Sequence, residues 1–127
     1  MCWTSATTVL GGQVHFDDTD VIEGTVNGTY GWWKVVNSQV IFDNDVCANA
    51  SGWWKITNGK VDFDYTGLAQ NAGGWWYIHN GAVDFSYTGF GQNGNSWWYC
   101  RDGQVHFDDT DVIEGTVNGT YGWWKVV

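Results

Sequence analysis

The sequence has no proline, two leucines, and five lysine and arginine residues against fourteen aspartate and glutamate residues. With a net charge of −9 and no basic cluster, the chain would repel a phosphate backbone, so we expect no nucleic-acid partner. No window approaches the roughly 18 apolar residues that a membrane span needs. The N-terminus also lacks the basic and apolar blocks of a signal peptide. These absences favour a soluble fragment or processed form without a membrane span.

Cysteine is scarce as well, since only Cys2, Cys47 and Cys100 are present. They show no Cys-x-x-Cys or Cys/His spacing, which argues against a zinc site and a dense disulfide framework and leaves one disulfide open. The acidic runs at 17–20 and 108–111 lack the spacing and glycine of a calcium-hand loop. No serine or cysteine stands in a nucleophile motif near a histidine. We therefore expect no metal, no cofactor and no enzyme activity.

Aromatic residues, by contrast, make up 18% of the chain and hydrophobic residues 43%, too much for a disordered protein. Valine occurs fifteen times and leucine twice, and β-branched side chains favour strands over helices. The composition therefore predicts an all-β protein with almost no helix.

Adjacent tryptophan pairs recur at 32–33, 53–54, 75–76, 97–98 and 123–124, so the repeat is about 21–26 residues long. Two-residue turns rich in Asn, Asp and Gly are predicted near 11–12, 37–38, 58–59, 80–81 and 102–103. Such hairpins are marginal alone and must bury one face against their neighbours. The sequence thus predicts a single repeat domain over 1–127, in which the last unit, 123–127, is half a hairpin.

Strand alternation divides each hairpin into two faces. Counting outward from the turn at 80–81 pairs Ile78 with Val83 and Trp76 with Phe85, and these four side chains share the face that we predict to be the core. The second tryptophan of every pair falls on this face. The first tryptophan falls on the opposite face, which is aromatic at one edge and polar at the other.

The two end units are identical, since residues 12–36 recur without change as residues 103–127. The middle units have diverged from one another, so a recent duplication or deliberate construction is indicated, and the sequence does not say which. The unfinished last unit would leave an open strand edge, which invites pairing.

Residues 66–105 resemble the cell-wall-binding repeats of Gram-positive surface proteins, the group that includes choline-binding and glucan-binding modules. The resemblance rests on a Gly-Trp-Trp-Tyr strand, an Asn-Gly turn and a Val-Asp-Phe-Ser-Tyr-Thr-Gly segment, and it is strongest at 53–74 and 75–96. It implies a β-solenoid of stacked two-stranded hairpins with shallow aromatic sites outside. Choline-binding repeats have a tryptophan after Thr-Gly where this chain has Leu68 and Phe90, which favours carbohydrate over choline.

The sequence therefore predicts a non-catalytic module of the bacterial cell surface, extracellular, that binds cell-wall polysaccharide or glucan. An exposed indole offers a flat apolar face for a sugar ring or a cation, and a large exposed apolar patch usually marks a contact surface. The candidate ligand-binding residues are Trp32, Trp53, Trp75, Trp97, Tyr77 and Tyr99. Two alternatives stay open: an assembly module that stacks end to end into oligomers or fibres, and an adhesin surface for a host protein.

Overall fold

The structure, a computed structural model, describes residues 9–10, 13–14, 19–107 and 111–127, with side chains from residue 20 onward. Over these residues it contains strands and no helix, so the predicted all-β class is confirmed. The turn predicted at 11–12 and Cys2 lie outside the described residues. The strands are β1 (Val9–Leu10), β2 (Gln13–Val14), β3 (Thr19–Val26), β4 (Thr29–Val36), β5 (Gln39–Val40), β6 (Asp45–Asn49), β7 (Gly52–Thr57), β8 (Lys60–Val61), β9 (Gly67–Asn71), β10 (Gly74–His79), β11 (Ala82–Val83), β12 (Gly89–Asn93), β13 (Ser96–Arg101), β14 (Gln104–Val105), β15 (Asp111–Val117) and β16 (Thr120–Val126).

The strands form successive antiparallel units of three. The first unit is β3–β5, the second β6–β8, the third β9–β11 and the fourth β12–β14, and the hairpin β15–β16 follows. In the third unit, β10 pairs with β9 along one edge and with the short β11 along the other. The predicted register of the β10–β11 hairpin, with Ile78 opposite Val83, is confirmed. The connecting strands β6, β9 and β12 were not predicted.

The β10–β11 ladder is shorter than predicted. Trp76 pairs with Gln104 of the fourth unit and not with Phe85. The chain turns away at residues 85–86 because the Asp84 carboxylate accepts hydrogen bonds from the backbone N–H and the hydroxyl of Ser86, at 3.0 and 2.6 Å. The same bonds lower the pKa of Asp84. A local side-chain turn therefore ends the strand where alternation alone would extend it.

The predicted core is right for the aliphatic positions and wrong for the phenylalanines. Ile78 is fully buried and Val83 is 8% exposed, whereas the phenylalanine two residues beyond each short strand is exposed. The second tryptophans are also not uniformly buried, because Trp98 is 40% exposed. The exposed phenylalanines are Phe42 (51%), Phe63 (45%), Phe85 (46%) and Phe107 (59%).

The buried side chains form three small clusters, each shared between neighbouring units. One cluster joins Val46 of the second unit to Ala69, Ile78 and Val83 of the third. No unit therefore encloses a core by itself, as expected for a repeat array. Another cluster contains Cys100, a free thiol whose burial raises its pKa to about 11.

The glycines of three hairpin turns, Gly59, Gly81 and Gly103, bond to the preceding unit. The backbone N–H of Tyr77 donates to Gly103 O at 2.7 Å, and the N–H of Gly103 donates to Tyr87 O at 2.8 Å. Gly81 repeats this pattern against the second unit, and Gly59 repeats it against the first unit and the segment that follows. Each of these three turns is thus attached to the preceding part of the chain by two short backbone hydrogen bonds.

Only glycine fits these turn positions. Gly59, Gly81 and Gly103 have φ between +79° and +85°, a conformation that L side chains rarely adopt. A Cβ at these positions would also lie 2.9, 2.7 and 2.5 Å from a backbone oxygen of the preceding segment. The positive φ and the lack of space for a Cβ each require glycine at these positions.

The Gly81→Ala substitution should destabilise the protein more than Gly28→Ala. Gly28 has the matching φ of +80°, but no atom lies within 4 Å of the place that a Cβ would take, so its substitution costs about 1–2 kcal/mol of backbone strain alone. Gly81→Ala adds a steric clash worth about 1–3 kcal/mol more. Urea unfolding followed by tryptophan fluorescence measures both, and equal losses would contradict the close-approach account.

Candidate functional site

Aromatic side chains gather at the boundaries between units, in three clusters of the same composition. Each cluster takes the first tryptophan of one unit and the second tryptophan and the following phenylalanine of the next unit. The first cluster is Trp32, Trp54 and Phe63, the second is Trp53, Trp76 and Phe85, and the third is Trp75, Trp98 and Phe107.

The first and second clusters are closed by contact between their tryptophans. The ring centroids of Trp53 and Trp76 are 5.3 Å apart, and Phe85 stands edge-on to Trp53 at 5.7 Å. Trp32 and Trp54 are 6.2 Å apart. These distances are those of ordinary aromatic pairs, so the rings pack on one another.

The third cluster is open. Trp75, Trp98 and Phe107 line a cavity of about 250 Å³, whose remaining wall is formed by Leu68, Val105 and Asn93. Phe107 stands edge-on to Trp98 at 5.6 Å and supports it from one side. Of the three clusters, the third is therefore the one with room for a ligand group between its rings.

The closed clusters are held by an asparagine at the end of the connecting strand. Asn71 Oδ1 accepts hydrogen bonds from Trp76 Nε1 and from the backbone N–H of Gly73, both at 2.8 Å. Its Nδ2 donates to Val46 O of the preceding unit at 3.1 Å. Asn49 bonds Trp54 Nε1 in the same way at 2.9 Å. The buried amide therefore fixes the second tryptophan.

The third cluster lacks this restraint. Asn93 is the equivalent residue of the fourth unit, but within the described part of the chain no hydrogen bond joins it to the Trp98 indole. The turn after it differs, because Gly94 has φ +59° and Ser96 stands where the third unit has Gly74 with φ +137°. The altered turn leaves the amide exposed, and Trp98 is correspondingly free to line the cavity.

The predicted site residues are thus distributed over different environments. Trp75 lines the open third cluster, whereas Trp32 and Trp53 are packed in the closed ones. Trp97 and Tyr99 line a second cavity of about 410 Å³ beside β16, and Trp97 Nε1 donates to Asn118 Oδ1 at 3.2 Å.

Tyr77 is packed against other side chains of the protein. Its ring is stacked on Tyr87 at 3.7 Å with an angle of 12° between the ring planes, beside the core cluster of Cys100. Burial raises the pKa of Tyr87 to about 12, and the nearby Tyr77 adds to the shift. Tyr77 does not line the cavity of the third cluster.

Sequence reasoning missed Trp98 and Phe107, which it assigned to the core. One signal was present, since a phenylalanine follows each of the first four second tryptophans at the same spacing, just beyond the short strand. The other signal was Asn93-Gly94-Asn95-Ser96, which departs from the Asn-Ala-Gly-Gly turn of the third unit.

Lysines occupy the position of Tyr77 in the earlier units, and both are buried. Lys34 Nζ contacts the carboxylates of Asp43 at 2.8 Å and Asp45 at 2.9 Å. Burial opposes the charge of Lys34, but the two carboxylates outweigh it and raise its pKa. Lys55 Nζ lies 5.0 Å from the Tyr65 ring centre, and burial lowers its pKa. These lysines are therefore held by the protein's own groups.

Over the described ranges, no group of three histidine, cysteine, aspartate or glutamate side chains is arranged to hold a metal ion. The same part of the chain contains no helix of the length and apolarity needed to cross a membrane.

Comparison with known proteins finds a similarity between these units and one repeat family. A protein-family model described as a choline-binding repeat matches the chain three times in tandem, at residues 43–62, 64–84 and 86–106. Each match contains one connecting strand, one central strand and one short strand, so a match corresponds to one structural unit. Neither the curated proteins nor the solved structures give a significant match to the chain.

The Asn71→Ala substitution should destabilise the protein, and Asn93→Ala serves as its matched control. Removing the Asn71 amide leaves Trp76 Nε1, the Gly73 N–H and Val46 O without their partner, at a cost of about 1–3 kcal/mol. Asn93 makes no such bonds, so its substitution should change the unfolding free energy by less than about 0.5 kcal/mol. Urea unfolding of both variants tests this, and similar losses would refute the proposed restraint.

Proposed function

Because the chain carries three tandem repeats of the choline-binding family over residues 43–106, we propose that it is a non-catalytic module for a choline-bearing bacterial cell-wall polymer. The observation that supports this proposal is the open third cluster, where Trp75, Trp98 and Phe107 surround a cavity of about 250 Å³. The ligand group would be the quaternary ammonium of choline.

A quaternary ammonium has no N–H to donate, so a protein recognises it through ring faces and apolar contact. Each ring that faces the cation contributes about 0.5–2 kcal/mol, with the larger value where water is excluded. The net charge of −9 adds a long-range attraction for cations, which raises the encounter rate at low salt.

The third ring answers the sequence-based argument against choline. Leu68 does occupy the position where choline-binding repeats have tryptophan, and it lines the cavity as an aliphatic wall. Phe107 supplies an aromatic wall that the sequence argument had placed in the core. The departure at Leu68 therefore leaves three aromatic side chains around the cavity of the third cluster, which we call the cage.

The proposal also covers how the sugars of the polymer bind, where the protein is displayed and how its units stack. We propose that the polymer's sugars contact the tryptophan row where it is accessible, at Trp75 and Trp97. Extracellular display on a bacterial surface follows from the usual setting of such repeats. A β-solenoid is supported by the identical glycine contacts that place each unit on the one before.

The choline prediction can be tested by titration with choline and with 3,3-dimethyl-1-butanol, its uncharged isostere, while tryptophan fluorescence is followed. We expect choline to bind and the isostere to bind at least about tenfold more weakly, since only the cation gains the ring interaction. Equal affinity would contradict recognition of charge by the cage.

Two variants locate that binding. Phe107→Ala opens the third cluster and should weaken choline binding about three- to thirtyfold, by the loss of one ring face. Phe85→Ala removes the matching ring of the closed second cluster and should leave choline affinity unchanged. A larger effect of Phe85→Ala than of Phe107→Ala would place the site elsewhere.

A second candidate function, self-association, is favoured by the contrast between the two identical hairpins. In β3–β4, Val21 is 3% exposed and Lys34 is 7% exposed, because the second unit covers them. In β15–β16 the same positions are Val112, which is 56% exposed, and Lys125, which is also exposed. Because the two hairpins have the same sequence, the second unit of another copy would fit against β15–β16 in the way that it covers β3–β4.

The Lys125→Glu substitution tests this assembly. In an exchanged contact, Lys125 would take the place of Lys34 between Asp43 and Asp45, so a glutamate there would repel both carboxylates. We expect light scattering of the unchanged chain to show mass increasing with concentration, and Lys125→Glu to remain monomeric. A chain that stays monomeric, or a variant that assembles equally well, would exclude the exchange.

A further inference from the structure

A polar groove adjoins the aromatic cage and shares one of its tryptophans. It has a volume of about 530 Å³ and runs between the second and third units to the edge of the fourth. Trp75, Leu68 and Asn93 line both the groove and the cage. A ligand group in the groove would therefore lie directly beside a group in the cage.

One side of the groove presents two amides that make no hydrogen bond within the described chain. Gln70 lies opposite Trp75 in the β9–β10 ladder, and Asn93 ends β12. Both side chains are exposed and line the groove. Each amide offers donors and acceptors together, so the pair can bond to groups of either kind beside the indole.

The other side carries charges that are already balanced. Lys55 Nζ donates to Ile56 O at 2.6 Å and to Thr57 Oγ1 at 2.8 Å, and Thr57 Oγ1 in turn donates to Asp62 at 3.4 Å. The carboxylate of Asp62 faces the groove with the ammonium nearby. This side has no excess positive charge, which disfavours a phosphate, but it offers hydroxyl and carboxylate oxygens.

A flat indole bordered by free amides, a hydroxyl and a carboxylate matches the chemistry of a pyranose ring, which has an apolar C–H face and hydroxyls around its rim. We propose that this groove is a subsite for a neutral pyranose unit, stacked on Trp75 and hydrogen-bonded by Gln70 and Asn93. The inference rests on the proposed function in one respect, since the sugar would belong to the same polymer whose choline occupies the cage.

The test uses neutral oligosaccharides on the full chain, with saturating choline present to fill the cage. The probes are chitotetraose, cellotetraose and maltotetraose, with tetragalacturonic acid as the anionic comparison. We expect at least one neutral probe to bind and to shift the indole N–H resonance of Trp75 in NMR spectra, and the anionic probe to bind more weakly. Absence of binding by all three neutral probes, or a preference for the anionic one, would overturn the proposal.

Two matched variants locate the sugar. Gln70→Ala should weaken the bound probe about three- to tenfold, through loss of its hydrogen bonds. Gln92→Ala removes the equivalent residue opposite Trp97, which lies outside the groove and donates to Gly94 O at 3.0 Å, and it should have a clearly smaller effect. Equal effects of the two substitutions would overturn the assignment.

The outcome separates this inference from the proposed function. Gln70 does not line the cage, so Gln70→Ala should leave choline affinity unchanged. If the unsubstituted protein binds choline but no sugar, only the sugar subsite in the groove is refuted. If it does not bind choline at all, the proposed function is refuted. Trp75→Ala should weaken both ligands, because its indole lines both sites.

Discussion

The bonds that join the turn glycines Gly59, Gly81 and Gly103 to the preceding unit are the contacts on which the array depends. At Gly81 the turn needs a positive φ, and the backbone of Asp62 and Phe63 leaves no room for a side chain. Because the core clusters also lie across unit boundaries, a unit that is not docked has no enclosed core. Docking and core formation are therefore one process, which explains why a small hairpin unit is stable only within a series.

The same contact explains which parts of the fold were predictable. Asn-Gly turns and alternating Ile78 and Val83 are local signals, and both hairpin register and aliphatic core followed from them. The end of the ladder did not, because it depends on hydrogen bonds from Ser86 to Asp84 that hydrophobic alternation does not encode. Strand β9, with the sequence Gly-Leu-Ala-Gln-Asn, has weak β-propensity and is held by its pairing with β10.

The candidate site was predictable only in part. Trp75 was identified because the first tryptophans form a row on the solvent-side face of the predicted hairpins. Trp98 was placed in the core because alternation treats all second tryptophans alike, whereas Trp98 lacks the asparagine bond that holds the indoles of Trp54 and Trp76. That bond depends on the geometry of a surface turn, which the alternation of hydrophobic residues does not report.

The open third cluster also has a consequence for how such an array could change. Its three rings are of the same types as those of the closed clusters, whereas the neighbouring core differs, with Cys100 at the position of Ile78, and the turn at 93–96 differs as well. If the proposed site binds its ligand, edits to a surface turn that remove the asparagine bond would open individual sites without requiring a new repeat. The valency of the array, and with it the avidity for a polymer that carries many identical groups, can evolve separately from its stability.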